Sequence, residues 1–305
     1  MKKQLIIGTR SSKLALWQAN HVKTILEKAH KELTVELKII MTTGDKILDV
    51  PLAKIGGKGL FTKEIESEML SGEIDLAVHS LKDMPVELPE GLQLTAITKR
   101  EDPRDAFISK QHNNFLNVPQ GAKIGTSSLR RKAQLLYVRP DLQITELRGN
   151  VDTRLRKLET EHLDGIILAA AGLHRLGLEA EITEYLEPEL CLPAVGQGAL
   201  AIESRASDEE TKAFLAVLQD CNSYQQALAE RAFLREVEGG CQIPVGVQAL
   251  VTDDQKIKIQ AMIATVDGST ILKDEASGDI KAAESLGQEL AKRMLQAGGR
   301  KILDD

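Results

Sequence analysis

The chain has 305 residues, of which 42% are hydrophobic and 28% charged, and its formal net charge is −6 at pH 7. This composition is typical of a folded globular protein, the length predicts two or three domains, and the acidic charge argues against a general nucleic-acid binder. The apolar run Leu5–Ile7 is too short for a secretion signal, and no stretch approaches the roughly 20 apolar residues of a membrane span. We therefore expect a cytoplasmic protein.

The first part of the chain alternates strands and helices. The apolar patterns predict strands at Lys3–Thr9, Leu33–Met41 and Ile74–Val78 and helices at Leu14–Lys28 and Phe61–Ser71. Because a strand, a crossover helix and a second strand pair in parallel, this order favours an α/β layer.

The same alternation starts again after the charged, proline-containing segment Lys99–Asp105. Strands are predicted at Lys123–Gly125, Gln143–Leu147, Gly165–Ala169 and Ala199–Glu203, with helices beginning at Ser128 and Asp152. We interpret Lys99–Asp105 and Pro193–Gly198 as two crossings between α/β lobes. A cleft between two such lobes is the usual place for a ligand site.

The C-terminal part has a different pattern. A predicted helix, Ser223–Val237, is followed by the alternating segment Lys256–Val266, the turn Asp267–Gly268 and a closing helix, Ile280–Gln296. Alternation followed by an Asp-Gly turn predicts a β-hairpin. We therefore expect a small antiparallel α+β domain here.

The three cysteines, Cys191, Cys221 and Cys241, show neither a CxxC pair nor the spacing of a metal finger. We expect no disulfide framework and no metal site. Cys241 follows two glycines, which permit an exposed loop that presents its thiol, but an isolated cysteine more often packs in a core. The residues alone leave both roles open for Cys241 and favour packing for the other two.

A glycine-rich segment, Gly56–Gly59, precedes the predicted helix Phe61–Ser71. Free backbone N–H groups at the start of a helix attract anions, and Lys54 and Lys58 lie beside them. An ordinary flexible turn explains the glycines equally well. The two lysines favour an anion site.

Hydroxyl and guanidinium groups gather where the helix after strand Lys123–Gly125 begins. These residues are Thr126, Ser127, Ser128, Arg130 and Arg131. Hydroxyls and free N–H groups bind a carboxylate, while arginine side chains bind others bidentately. The alternative is a capped helix with surface arginines.

A lysine and an aspartate, Lys82 and Asp83, follow the predicted strand Ile74–Val78. The carboxyl end of a strand in an open α/β sheet faces the ligand crevice, so the pair is a candidate for a binding cation and a catalytic carboxylate. A surface ion pair before Pro85 is the alternative. His79 fits either a functional site or a buried, hydrogen-bonded position.

Basic residues are concentrated in one region, with seven basic against three acidic residues from 126 to 156. Arg148 ends a predicted strand in this region, and Arg10 follows the first strand of the chain. Arginines at strand ends in both lobes, together with Arg154 and Arg175, point to a small ligand that carries several carboxylates.

Seven segments resemble the porphobilinogen deaminase family, also called hydroxymethylbilane synthases, and they occur in the family's order. They are Gly8–Ala15, Lys54–Phe61, Ala77–Pro85, Gly125–Arg131, Leu147–Arg154, Pro193–Gly198 and Gly240–Pro244. The resemblance runs nearly from end to end, and we find no departure at the positions that the family uses.

The resemblance implies an α/β fold with two lobes like a periplasmic-type binding protein, a central cleft and a small α+β C-terminal domain. We expect domain 1 to comprise residues 1–98 and 199–216, domain 2 residues 104–192 and domain 3 residues 221–305. We also expect a monomer that binds neither nucleic acid nor membrane.

The resemblance implies that the substrate is porphobilinogen, a pyrrole with acetate, propionate and aminomethyl arms. Four molecules condense, with loss of ammonia, into the linear tetrapyrrole hydroxymethylbilane. The chain grows on a dipyrromethane cofactor that a thioether joins to Cys241. No metal or nucleotide is implied.

The resemblance also assigns residues. Asp83 is the catalytic carboxylate near the pyrrole nitrogens, a charge-stabilising and acid–base role. The expected cofactor-binding residues are Cys241, Asp83, Lys82, Ser80, Thr126, Ser127, Ser128, Arg130 and Arg131. The expected substrate-binding residues are Arg10, Ser12, Lys54, Lys58, Arg148, Arg154, Arg175 and Gln197.

Two other classes of protein are alternatives to this function. A non-catalytic solute-binding module with the same two lobes has no use for the Lys82–Asp83 pair or the Cys241 loop. A phosphate- or nucleotide-binding enzyme explains the glycine-rich and arginine-containing segments but not the C-terminal domain.

Overall fold

A computed structural model describes residues 2–46, 62–237, 243–252 and 255–304. The chain divides into two compact units, Met1–Arg100 with Ala199–Tyr224 and Glu101–Gly198 with Gln225–Asp305. Lys54, Lys58 and Cys241 lie outside the described residues.

The strands and helices are numbered in chain order. The strands are β1 Gln4–Thr9, β2 Thr34–Ile39, β3 Leu76–Ser80, β4 Leu92–Ile97, β5 Asp105–Ile108, β6 Lys123–Gly125, β7 Gln143–Thr145, β8 Gly165–Ala169, β9 Glu184–Leu186, β10 Leu200–Arg205, β11 Val245–Val251, β12 Lys256–Ala264 and β13 Ile271–Asp279. The helices are α1 Lys13–Ala29, α2 Thr43–Lys46, α3 Lys63–Leu70, α4 Leu129–Val138, α5 Val151–Thr160, α6 Ala170–Arg175, α7 Glu209–Leu215, α8 Cys221–Glu236, α9 Ala283–Met294 and α10 Arg300–Asp304.

The first unit is built on a mixed sheet with the order β2-β1-β3-β10-β4 in its described part. β1 runs parallel to β2 and β3, whereas β10 is antiparallel to β3 and β4. Helix α1 begins where the side chain of Ser12 accepts a hydrogen bond from the backbone N of Ala15. Its buried face, including Val22 and Leu26, packs on β1, and each fully buried side chain of this size stabilises the fold by about 1.5–3 kcal/mol.

The second unit contains a sheet of similar design, with the described order β7-β6-β8-β5-β9. β6 is parallel to β7 and β8, and β5 is antiparallel to β8 and β9. Helices α4, α5 and α6 follow β6, β7 and β8 in the chain. The parallel strands therefore end at one edge of the sheet, and β5 begins there, because Asp105 is paired with Ala169.

The second unit also contains the antiparallel sheet β11-β12-β13, which packs with α8 and α9. Helices α8 and α9 approach closely, since a Cβ at Gly287 would lie 2.1 Å from the carbonyl O of Ala229. The turn between β12 and β13 contains Gly268, whose φ of +73° suits glycine. A Cβ there would lie 2.4 Å from the carbonyl O of Ala133 in α4, so the turn fits against that helix.

The predicted fold class is confirmed: two sheets with helices and a small C-terminal α+β part. The predicted bounds of most elements are right to within a few residues. The sequence argument missed β4, β5, β9 and β11. Asp105, which was predicted to end a crossing segment, is instead the first residue of β5.

Candidate active site

In the first unit, five predicted site residues lie at one edge of the sheet. β1 and β3 are parallel, so their carboxyl ends meet there. The five residues are Arg10, Ser12, Ser80, Lys82 and Asp83. The backbone N of Leu81 donates to the carbonyl O of Ala199 at 3.0 Å, which fixes the turn after β3 to the strand beside it.

The two serines at this edge have local hydrogen bonds. Ser12 caps α1 at 3.3 Å from the backbone N of Ala15, and the Ser80 hydroxyl lies 3.0 Å from Nε2 of the buried Gln18. These bonds hold the start of α1 against the end of β3. Their hydroxyl groups keep further lone pairs for a ligand.

Lys82 and Asp83 lie in a short 3₁₀ helix, Leu81–Asp83, directly after β3. The side chain of Leu81 is buried and anchors this turn, while Asp83 is exposed. Within the described ranges, no residue hydrogen-bonds the Asp83 carboxylate. The fold therefore presents an available carboxylate on a fixed turn beside a lysine.

His79, one residue before Ser80, is buried. Its Nε2 lies 3.1 Å from Oε2 of Glu203, whose side chain is fully buried on the neighbouring strand β10. Burial raises the pKa of the nearby Glu66, and the charge of Glu203 raises it further. His79 thus takes the buried, hydrogen-bonded position and fixes β3 to β10 below the turn that carries Asp83.

In the second unit, the hydroxyls after β6 connect the ends of neighbouring strands. The Ser127 hydroxyl donates to the carbonyl O of Leu147 at 2.7 Å and accepts from the backbone N of Leu147 at 3.0 Å. Thr126 is buried, and its hydroxyl accepts from the backbone N of Ser128 at 3.3 Å. Ser128 caps α4 by accepting from the backbone N of Arg131 at 3.4 Å.

Arg130 and Arg131, in the first turn of α4, are not surface arginines. Both are buried, and both bind Asp105. Nη1 of Arg130 lies 2.7 Å from Oδ2 of Asp105, while Nε and Nη2 of Arg131 lie 3.0 and 2.6 Å from Oδ1. The sequence argument did not identify this buried carboxylate. Burial alone would raise the pKa of Asp105, but the two guanidinium groups hold it well below its usual range.

The other predicted arginines of this unit follow β7 and β8. Nε of Arg154 donates to the carbonyl O of Gly149 at 2.8 Å, where a φ of +112° turns the chain between Arg148 and α5. Arg175 ends α6, is buried, and its Nη2 donates to the carbonyl O of Gly198 at 2.5 Å. Burial lowers the pKa of Arg175 to about 10, with Glu101 partly opposing the shift.

Gln197 is fully buried and lies in the same unit. Its Nε2 donates to the carbonyl O of Pro103 at 2.7 Å and to Oδ1 of Asp105 at 2.9 Å. The sequence contains one sign of this buried cluster, an acidic residue directly before an apolar run, in Asp105-Ala106-Phe107-Ile108. The predicted residues Lys54, Lys58 and Cys241 are not among those described.

The described residues thus fall into two groups, each at the carboxyl edge of a mixed α/β sheet and each rich in cations. The group in the first unit also contains an exposed carboxylate, that of Asp83. Cationic side chains at such an edge are chemically suited to a small ligand with several carboxylates. No group of three or more His, Cys, Asp or Glu residues in the described ranges is arranged to hold a metal ion.

Comparison with known proteins shows the family. The model of "Porphobilinogen deaminase, dipyromethane cofactor binding domain" matches residues 5–213, and that of the "Porphobilinogen deaminase, C-terminal domain" matches residues 224–296. The chain belongs to the porphobilinogen deaminase family. It is thus a transferase with hydroxymethylbilane synthase activity, porphobilinogen as substrate and a dipyrromethane cofactor.

Several relatives are similar over nearly their whole length. The porphobilinogen deaminase of Pelobacter propionicus is 54% identical over 303 residues, which cover 99% of this chain and 97% of that protein. The one from Geobacter metallireducens is 56% identical over 301 residues, covering 99% and 94%. The resemblance found in the sequence is confirmed.

Among solved structures, the methionine binding protein MetQ is similar with a TM-score of 0.46 and 14% identity, covering 73% of this chain and 93% of that chain. A methionine-binding lipoprotein from Bacillus subtilis has a TM-score of 0.45 and 13% identity, covering 72% and 91%. Among the helices of the described residues, none has the length and hydrophobicity to cross a bilayer.

Proposed function

We propose that the condensation takes place at the carboxyl edge of the first sheet, with Asp83 as the catalytic residue. The observation that carries this proposal is the Asp83 carboxylate itself, which is exposed on the anchored turn Leu81–Asp83 and has no hydrogen-bond partner among the described residues. A catalytic carboxylate must be available to its substrate, and Asp83 is available at the edge of an α/β sheet that faces the ligand crevice.

The charges of the chain support a polyanionic cofactor and substrate. Two guanidinium groups share the single carboxylate of Asp105, which leaves an excess of positive charge in that cluster. Arg175 is buried, and within the described ranges its side chain donates to a carbonyl oxygen rather than to a carboxylate. The charge of Glu101 only partly offsets the burial of the Arg175 cation, and a ligand carboxylate would stabilise that cation further. The dipyrromethane, with its acidic arms, fits these residues.

Each residue takes one role in the proposal. Cys241 holds the dipyrromethane through a thioether, and Ser80, Lys82, Thr126, Ser127, Ser128, Arg130 and Arg131 bind it. Arg10, Ser12, Lys54, Lys58, Arg148, Arg154, Arg175 and Gln197 serve the binding of porphobilinogen. When bound, the dipyrromethane supplies a terminal pyrrole with a free α-carbon as the nucleophile.

The chemistry requires one carboxylate. Each porphobilinogen loses its aminomethyl nitrogen as ammonia, a carbon–carbon bond forms, and the proton displaced from the α-carbon leaves with ammonia as ammonium. Asp83 stabilises the cation formed from porphobilinogen when ammonia leaves, and then accepts the α-carbon proton and passes it on. Guanidinium groups bind the acetate and propionate arms and orient the two reacting carbons.

The domain division and cellular setting are also proposed. We assign residues 1–98 and 199–216 to domain 1, 104–192 to domain 2 and 221–305 to domain 3. The net charge of −6 supports a monomer that binds neither nucleic acid nor membrane. Cys191 and Cys221 are free thiols, which supports a cytoplasmic location. Sedimentation equilibrium tests the monomeric state.

A mass ladder tests the proposed function. The purified protein is mixed with limiting porphobilinogen, quenched in acid and measured by intact-mass spectrometry. Stepwise condensation predicts species that differ by one porphobilinogen less one ammonia, and Asp83→Ala should lack the ladder. A non-catalytic solute-binding module, which the family match does not favour, would bind porphobilinogen with no covalent increment. Absence of increments in the parent protein would refute the proposal.

A further inference from the structure

A buried polar cluster in the second unit is centred on Asp105, and we call it the Asp105 cluster. Asp105 is the first residue of β5, and its side chain has no solvent exposure. Besides the two arginines, Oδ1 accepts from Nε2 of Gln197 at 2.9 Å, and Oδ2 accepts from the thiol of Cys191 at 3.3 Å. One carboxylate therefore receives donors from α4 and from the segment 191–197.

The cluster fixes both guanidinium groups in position. Arg131 binds Asp105 through Nε and Nη2 and the carbonyl O of Ile167 through Nη1 at 2.9 Å. Arg130 binds Asp105 and, through the same Nη1, the carbonyl O of Leu192 at 2.6 Å. A guanidinium has more N–H groups than these bonds use, so each arginine retains donors for a second anion.

The segment 191–197 is itself fixed to α4. Gln134, one turn along that helix, donates to the carbonyl O of Leu192 at 3.1 Å and accepts from its backbone N at 2.8 Å. Burial and the charge of Asp105 raise the pKa of the Cys191 thiol to about 12, so this thiol stays neutral. The cluster therefore contains two cations and one anion.

We propose that Asp105 is the positioning residue that aims Arg130 and Arg131 at the acidic arms of the dipyrromethane, and that Gln197 acts through Asp105. This inference rests on the proposed function of the two arginines. Asp105 is too deeply buried to touch the ligand, so it is not a catalytic residue. Gln197, predicted from the sequence to bind substrate, serves that binding indirectly, by orienting the carboxylate of Asp105.

Asp105→Asn tests the inference, because it keeps the shape of the side chain and removes its charge. Losing a charge-assisted bond that orients the arginines should lower the fraction of purified protein carrying the dipyrromethane, measured by intact mass, by about tenfold or more. In the loaded fraction, the KM for porphobilinogen should rise while kcat changes little, since Asp83 lies in the other unit.

Two controls separate positioning from stability. Asp141→Asn breaks the Arg139–Asp141 pair of the same unit, in which both N–O distances are 2.7 Å, and should load fully. Phe115→Leu weakens the core of that unit and serves as a variant of lowered melting temperature. Equal loss of loading in Phe115→Leu and Asp105→Asn at matched melting temperatures would overturn the inference.

Gln197→Leu is an independent test, because it removes an uncharged donor to Asp105 and leaves the ion pairs of Asp105 with the two arginines in place. It should reduce loading in the parent and cause no further loss in an Asp105→Asn background. If Asp105→Asn does not fold, full loading and a parental KM in Gln197→Leu would overturn the inference. A parent protein without added mass would instead contradict the proposed function.

Discussion

If Asp83 is the catalytic residue, replacing it should lower kcat and leave the free energy of unfolding nearly unchanged. Asp83 is exposed and, among the described residues, no group hydrogen-bonds its carboxylate. Asp83→Ala should therefore change the free energy of unfolding by no more than about 0.5 kcal/mol. The same change removes the only carboxylate assigned to acid–base work, so kcat should fall by about 10²- to 10⁴-fold. That loss corresponds to about 3–5 kcal/mol of barrier height.

The assay combines urea unfolding with the steady-state rate of tetrapyrrole formation, on protein whose mass shows the attached dipyrromethane. Glu90→Ala is the matched control, because Glu90 is an exposed carboxylate just before β4 in the same unit and has no assigned role. It should leave both quantities near the parental values. A kcat within about threefold of the parent in loaded Asp83→Ala would refute the catalytic role, because a general base contributes more than that.

Arg175, the pair Cys191 and Cys221, Gly268 and Asp105 each give a further testable expectation. Arg175→Leu should raise the KM for porphobilinogen by about 10- to 100-fold, the loss of one charge-assisted bond, and an unchanged KM would remove it from the site. Iodoacetamide should label exposed Cys221 in the native protein but not buried Cys191 until the protein unfolds, as read by peptide mapping. Gly268→Ala should destabilise the fold by about 1–3 kcal/mol in urea unfolding, because a Cβ meets backbone atoms of α4. The pKa of Asp105 is lower in the folded protein than in the unfolded chain, where it is about 4. Asp105 therefore stabilises the fold at pH values above about 4, and this contribution should decline as the pH falls below that value. Stability that does not fall in acid relative to Asp105→Asn would contradict the pairing.

Local patterns were sufficient for most of the fold. Apolar periodicity predicted β1, α1 and β8, and the Asp-Gly turn predicted the hairpin of β12 and β13. The strands that were missed are β4, β5, β9 and β11, and the first three of these pair with strands distant in sequence. β5, for example, has only four residues and pairs with β8 and β9. A short strand of this kind carries little periodicity to detect.

Sequence patterns likewise predicted one part of the candidate site and missed another. Positions at strand ends, such as Arg10 and Asp83, follow from the α/β pattern together with the family's motifs. The partner of Arg130 and Arg131 does not, because Asp105 lies in a segment whose charges and proline suggest an exposed crossing. A buried charge is recognised only when the groups that pair with it are brought together in space. For this reason the sequence predicted surface-facing arginines as the alternative, whereas the structure buries both.

In the proposed reaction, this chain extends a primer tethered to Cys241. Intact-mass spectrometry of the purified, active protein, compared with Cys241→Ser, tests it most directly. We expect that the parent exceeds its sequence mass by one dipyrromethane and that the serine variant, still folded, has its sequence mass and no turnover. An active parent with no added mass, or a serine variant that keeps the adduct, would show that Cys241 does not hold a primer.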